Sequence, residues 1–137
     1  MSIREPSVPR REFLLALSAV LPLALHRALS GPGDHPTPRR GIDASRVLGA
    51  KDLARFPKAR IAFDEVRQIP QIVDGIRCQC GCGEMVGHYS LLSCFERDGM
   101  ARECAVCQRQ GRLAFRLHKQ GRTLDEIRAA VDKQFGD

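Results

Sequence analysis

The sequence predicts an all-α fold: a small helical bundle with a Cys/Gly-rich loop, set after an N-terminal signal segment and a flexible tether. Three observations predict it. Apolar residues recur at helical spacing on both sides of a cysteine-rich stretch. The last segment opens on a helix-capping pattern, Thr123-Leu124-Asp125-Glu126. Nowhere does a run alternate apolar and polar residues as a half-buried strand requires, and no internal repeat is visible.

The N-terminal segment, residues 1–30, reads as an export address. Arg10-Arg11-Glu12-Phe13-Leu14 precedes an uncharged run from Phe13 to Leu25. That run is shorter than the roughly 20 residues that span a bilayer, and Pro22 interrupts it. A twin arginine before a short apolar run resembles a Tat signal. Phe13 and Leu14 fit the pattern, whereas Pro9 and Leu15 stand where polar and basic residues are usual. Ala28-Leu29-Ser30 offers a cleavage site after Ser30. The expected localisation is therefore periplasmic or otherwise extracytoplasmic, with the Tat machinery as a partner and no membrane span left after cleavage.

Residues 31–57 read as a flexible tether. Ser30 to Pro38 is dominated by proline and glycine, which oppose helix and strand alike. A short helix is expected near Ala44 to Leu53, and His35 has no assigned role. The Cys-rich helical domain then runs over residues 58–137. Ala59, Ala62, Phe63, Val66 and Ile69 make a helical stripe. Pro70 interrupts it but can open the next helix, where Ile72, Val73 and Ile76 continue. Residues 78–87 hold Gly81, Gly83 and Gly87 and read as a loop. A short amphipathic helix is expected from His88 to Arg97, stopped by Asp98-Gly99. A longer helix from Ala101 to Gln120 carries Cys104, Cys107, Ala114 and Leu117 on one stripe and ends at Gly121. Leu124, Ile127, Val131 and Phe135 line one face of the last helix. A core of about 80 residues is marginal, so cross-links or metal are expected to support it.

Six cysteines carry the chemistry, and none precedes residue 78. In Cys78-Gln79-Cys80-Gly81-Cys82, alternate side chains of an extended segment share a face, which brings three sulfurs within reach of one ion. Cys104 and Cys107 stand at i and i+3, the same face of a helix. They can clamp a soft metal, form a reactive disulfide or bond to loop cysteines. His88 can ligate or cap the following helix. Cys94 can ligate, staple or pack as a small hydrophobe. His118 lies eleven residues beyond Cys107, about 16 Å along a helix, too far to share its ion.

Other function classes find little support. The formal charge is +6; residues 1–30 hold four Arg and two acids, so the remainder carries +4. Its basic residues are spread among acids, and one Tyr with no Trp offers little for base stacking; nucleic acid is not expected as a partner. Glu84, Asp98 and Glu103 have no spacing suited to acid–base work. Ser90 and Ser93 lack a nucleophile's context, and no glycine loop is built to cradle phosphate.

Taken together, Cys78-x-Cys80-x-Cys82, Gly87-His88-x-Ser90-Leu91-Leu92-x-Cys94-Phe95 and Cys104-x-x-Cys107 resemble the bacterial PCYCGC-motif (CYCXC) family of small exported proteins, often lipoproteins. The resemblance runs from about Ala59 to Gly136. Arg77 and Gln79 depart from the usual proline or tyrosine, and tyrosine. No lipobox cysteine follows the apolar run, so a lipid anchor is not expected. A second likeness, through Cys104-Ala105-Val106-Cys107-Gln108 and the closing Phe135-Gly136-Asp137, is to CcmH-type thioreductase domains. It implies a helical fold more than an activity, because the C-x-C-x-C loop is foreign to that family.

Three readings follow. The first is an exported protein that binds a soft metal, copper or zinc before iron–sulfur, through Cys78, Cys80, Cys82, Cys104 and Cys107, with Cys94 and His88 as further candidates. It would carry or buffer the metal, with a metal donor or acceptor protein as partner. The second is a disulfide-stapled structural or interaction module, for which six cysteines allow fifteen connectivities. The third is a thiol–disulfide oxidoreductase using Cys104 and Cys107, the one enzymatic role the sequence suggests.

Overall fold

The computed structural model describes residues 34–81 and 85–136. The expected signal segment, residues 1–30, lies outside them, as does Cys82. The described residues belong to one compact unit that begins at Pro32. They form helices and irregular segments and, among themselves, no strand. The all-α expectation is met by α1 (Arg60–Val66), α2 (Pro70–Asp74), α3 (Ala105–Lys119) and α4 (Leu124–Phe135), with 3-10 helices at Ala44–Arg46 and Leu91–Phe95.

Local chemistry sets each boundary. Pro70 occupies the first turn of α2, and Ile69, at φ −134° and ψ 43°, separates it from α1; the stripe from Ala59 to Ile76 is therefore two short helices. Thr123 and Glu126 complete the capping box that opens α4. Gly121, at φ 78°, takes the left-handed conformation that ends α3. Arg116, His118 and Lys119 complement the exposed carbonyl end of α3.

α3 is the central element, packed on α1, α2, α4 and the second 3-10 helix. Its buried face consists of Cys107, Gln110, Gly111, Leu113 and Ala114. Phe63 of α1 meets Phe95 edge-on, with ring centres 4.8 Å apart, and Ile127 and Val131 close the core from α4.

Two local expectations are corrected. The segment from His88 to Arg97 forms only a 3-10 helix over Leu91–Phe95. With three residues per turn, Leu91 and Cys94 share a face, and Leu91, Leu92, Cys94 and Phe95 are all buried. The helix expected near Ala44 to Leu53 shrinks to the 3-10 turn Ala44–Arg46, which Asp43 caps through the Ser45 amide and which ends where Val47 turns extended.

The larger correction concerns the expected tether. Over its described part, residues 34–57 lie against the helices. Ile42, Val47 and Leu53 are buried in the common core. The Leu48 amide donates to the Phe95 carbonyl at 3.1 Å. Proline and glycine deny this segment regular structure, but its apolar side chains still bury and its polar groups find partners. Asp74, fully buried on α2, accepts hydrogen bonds from the Arg39 amide (2.8 Å), the Arg39 guanidinium and the Ser90 hydroxyl (2.7 Å). Among the described residues, no helix is long and apolar enough to cross a membrane.

Candidate metal centre

Cys78 leaves the core just after α2. The Leu91 amide donates to the Ile76 carbonyl at 2.7 Å, so the two ends of the cysteine loop are held side by side. The backbone of the loop's first turn is fixed from two directions. Ahead of Cys78, the Arg77 amide donates to His35 Nδ1 at 2.9 Å. Between the cysteines, the Gln79 amide donates to Gln110 Oε1 at 3.0 Å, and the Gln79 side chain donates to Asp132 at 2.8 Å. Gly81, at φ 77°, then turns the chain away.

This scaffold brings three sulfurs together. Cys78 and Cys80 are 3.2 Å apart, Cys78 and Cys107 3.6 Å, and Cys80 and Cys107 3.5 Å. Cys107 is buried at the start of α3, while Cys78 and Cys80 are half-buried above it. A metal bound tetrahedrally at about 2.3 Å from each sulfur needs them about 3.8 Å apart; all three separations are shorter, Cys78–Cys80 the most, so binding would spread the trio slightly. The set contains sulfur and no oxygen, the donor chemistry that selects copper(I), zinc or iron–sulfur over hard cations. Among the described residues, this trio can hold a metal ion.

The remaining candidates sit around the trio. Cys104 is the N-cap of α3, in extended conformation, and its sulfur accepts from the Cys107 amide at 3.5 Å. It is half-buried and borders Cys80 and Cys107. Cys94 is buried and borders Cys78 and Cys107. Its sulfur lies 3.7 Å from His88 Nδ1, so His88 meets the cluster through Cys94. His118 is exposed on the last turn of α3. All five described cysteines are free thiols.

The electrostatics follow from crowding. Hydrogen bonding from Cys107, then from Cys94, outweighs burial and holds the Cys78 thiol far below its ordinary value. The same contact with Cys78, then Cys94 and burial, drives Cys107 upward. A contact with Cys107 draws Cys94 down, but Cys78 and burial prevail and raise it. Burial raises Cys104, yet the Cys107 amide and thiol outweigh it and leave Cys104 lowered. Crowding thus splits the sulfurs, with Cys78 and Cys104 the readier to ionise and Cys94 and Cys107 the more reluctant.

Sequence reasoning missed three supporting residues. His35 is almost wholly buried, with Nε2 3.0 Å from Asp132. Since Nδ1 accepts from the Arg77 amide, Nε2 carries the proton and donates to the carboxylate. Nothing local in a proline-rich segment signals this. Gln110 was more accessible to inference, for it fills the gap between Cys107 and Ala114 on the predicted stripe.

Comparison with protein-family models matches residues 51–137 to proteins of unknown function with the PCYCGC motif. No curated protein and no solved structure matches the chain, and the CcmH-type likeness gains no support. The family match covers most of the chain, including all six cysteines. The chain therefore belongs to the family of proteins of unknown function with the PCYCGC motif.

Proposed function

We propose that this protein binds a soft metal ion, copper or zinc, through Cys78, Cys80 and Cys107, and that it carries or buffers that metal outside the cytoplasm. The observation that carries the reading is the convergence of the three sulfurs within 4.8 Å of one another. Among the described residues, Cys104 at the rim and Cys94 beneath are the available sources of a fourth ligand. The half-buried position of Cys78 and Cys80 suits exchange with a donor or acceptor protein. The Arg10-Arg11 segment supports export, and a Tat route would let folding and metal loading precede it.

The test is anaerobic purification of the exported protein, with metal per chain and free thiols measured together. About one copper or zinc per chain is expected. A protein with all its thiols free that takes up neither copper(I) nor zinc on reconstitution would overturn the reading.

One observation favours a thiol–disulfide role. Cys104 caps a fifteen-residue helix, is half-buried, and has its thiol lowered. Against it, Cys107 has Cys78 and Cys80 as near sulfur neighbours and is driven upward. Full disulfide-exchange activity in a Cys104→Ser/Cys107→Ser double variant would remove that pair as the catalyst.

A further inference from the structure

Gln110 is fully buried on α3, one turn beyond Cys107, and touches the cysteine loop twice. Its Oε1 accepts from the Gln79 amide at 3.0 Å. That contact fixes the orientation of the side-chain amide, because only the oxygen can accept there. The NH2 group is thereby turned toward Cys78, with Nε2 3.8 Å from the sulfur. One neutral side chain thus holds the backbone between two candidate ligands and offers a proton to one of them.

The loop is held on its other side by a separate chain of contacts. His35 donates to Asp132, and Asp132 accepts from the Gln79 side chain. These contacts meet the loop through Gln79 and Arg77 and leave the Cys78 sulfur alone. Gln110 differs in bonding to both the loop backbone and a sulfur.

From this geometry we infer that Gln110 is a positioning residue of the metal centre: it fixes the spacing of Cys78 and Cys80, and its N–H···S hydrogen bond tunes the Cys78 thiolate. The inference rests on the thiolate–metal reading. An amide proton on a coordinated sulfur stabilises the sulfur lone pairs and draws electron density from the metal–sulfur bond. Groups that orient metal ligands in this way typically contribute 10–100-fold to metal affinity.

Cobalt(II) is the probe, added to the reduced full chain and read by its sulfur-to-cobalt charge-transfer band. Gln110→Leu keeps bulk but removes both hydrogen bonds. The expected result is about 10–100-fold weaker cobalt binding with the band moved to longer wavelength, since a sulfur without its donor gives up electrons more readily. Retained affinity and an unmoved band would overturn the inference. So would weakened binding with an unmoved band, which would reduce Gln110 to a space-filling role.

A second measurement needs no variant. With cadmium-113 bound to the wild-type protein, scalar coupling between the metal and the Gln110 side-chain amide proton is expected through the Cys78 sulfur. Bound cadmium with no such coupling would overturn the inference while leaving the metal reading intact. A wild-type protein that takes up neither cobalt nor cadmium would overturn both.

Discussion

Arg39 Nη2 lies 2.6 Å from Asp74 Oδ1, joining the N-terminal segment to a carboxylate that is wholly buried on α2. The same guanidinium stacks on Tyr89, 4.6 Å from the ring centre, just beyond the cysteine loop. This pair turns a proline-rich stretch into part of the fold. Removing one partner of a buried pair typically costs 3–5 kcal/mol because the other is left uncompensated. Here Arg39 is about a third exposed, and Asp74 keeps Ser90 and the Arg39 amide. Arg39→Ala is therefore expected at the lower end, about 3 kcal/mol, measured by urea denaturation. A loss under about 1 kcal/mol, the usual worth of a surface pair, would show that Asp74 needs no cation.

The same carboxylate predicts a pH dependence. Burial pushes Asp74 up, but hydrogen bonds from the Arg39 side chain, the Arg39 amide and Ser90 outweigh it and hold the group below its ordinary value. A group depressed in the native state contributes its stability in full above its unfolded value, about 3.9. That contribution is lost as pH falls through the lower native value. Wild type should therefore lose stability as pH falls below about 5, and Asp74→Asn should show a flatter acid profile. Parallel profiles for the two proteins would assign the acid sensitivity elsewhere.

Residues 34–57 give a third prediction. Ile42, Val47 and Leu53 are buried in the core, and burying such a side chain is worth about 1.5–3 kcal/mol each. Their sum approaches the 5–15 kcal/mol that typically holds a small domain together. A chain beginning at Lys58 is expected to lose cooperative thermal unfolding, whereas one beginning at Asp34 should keep it. Equal melting of the two would restore the segment to the status of a tether.

Gly111 supplies the fourth. A Cβ there would stand 2.7 Å from Val66 Cγ2 and 2.9 Å from Phe95 Cζ, both in the core. Helix propensity favours Gly111→Ala by about 1 kcal/mol, but overpacking a core costs about 1–3 kcal/mol. A net loss of about 1 kcal/mol is expected, with partial recovery in Gly111→Ala/Val66→Ala. A stabilised single variant would mean that α1 and α3 separate freely.

What was legible in the sequence was local. Pro70, Thr123 with Glu126, and Gly121 each act within a few residues, so the helices they bound could be read directly. The pairing of the C-x-C loop with Cys107 was also legible, through alternation in the loop and periodicity in the helix. Cys104 was misplaced because it caps α3 instead of sitting within it, and an extended cap does not follow the helical stripe. Arg39, His35 and Asp132 find partners far along the chain, and no local pattern encodes them. The tether was misread because composition reports the absence of regular structure, not of packing.

The cysteines themselves divide by position, and this gives the last prediction. Cys107 belongs to the converging trio, lies buried at its base and has Cys78 and Cys80 as sulfur neighbours. Cys104 borders the trio from the rim of α3, where solvent can take its place. Cys107→Ser is therefore expected to weaken copper(I) or zinc binding by at least about 100-fold, and Cys104→Ser by about tenfold, the scale at which a group outside the core of a site acts. Competition titration against a chelator of known affinity measures both. If the native chain alone binds the metal, as proposed, a concentration 100 times the dissociation constant should raise unfolding stability by about 2.7 kcal/mol. Chelation should reverse that gain in wild type, and Cys107→Ser should gain no more than about 0.4 kcal/mol at the same metal concentration. If Cys104→Ser proves the more damaging substitution, the ion is held at the rim, and the three sulfurs at 3.2–3.6 Å are a packing arrangement only.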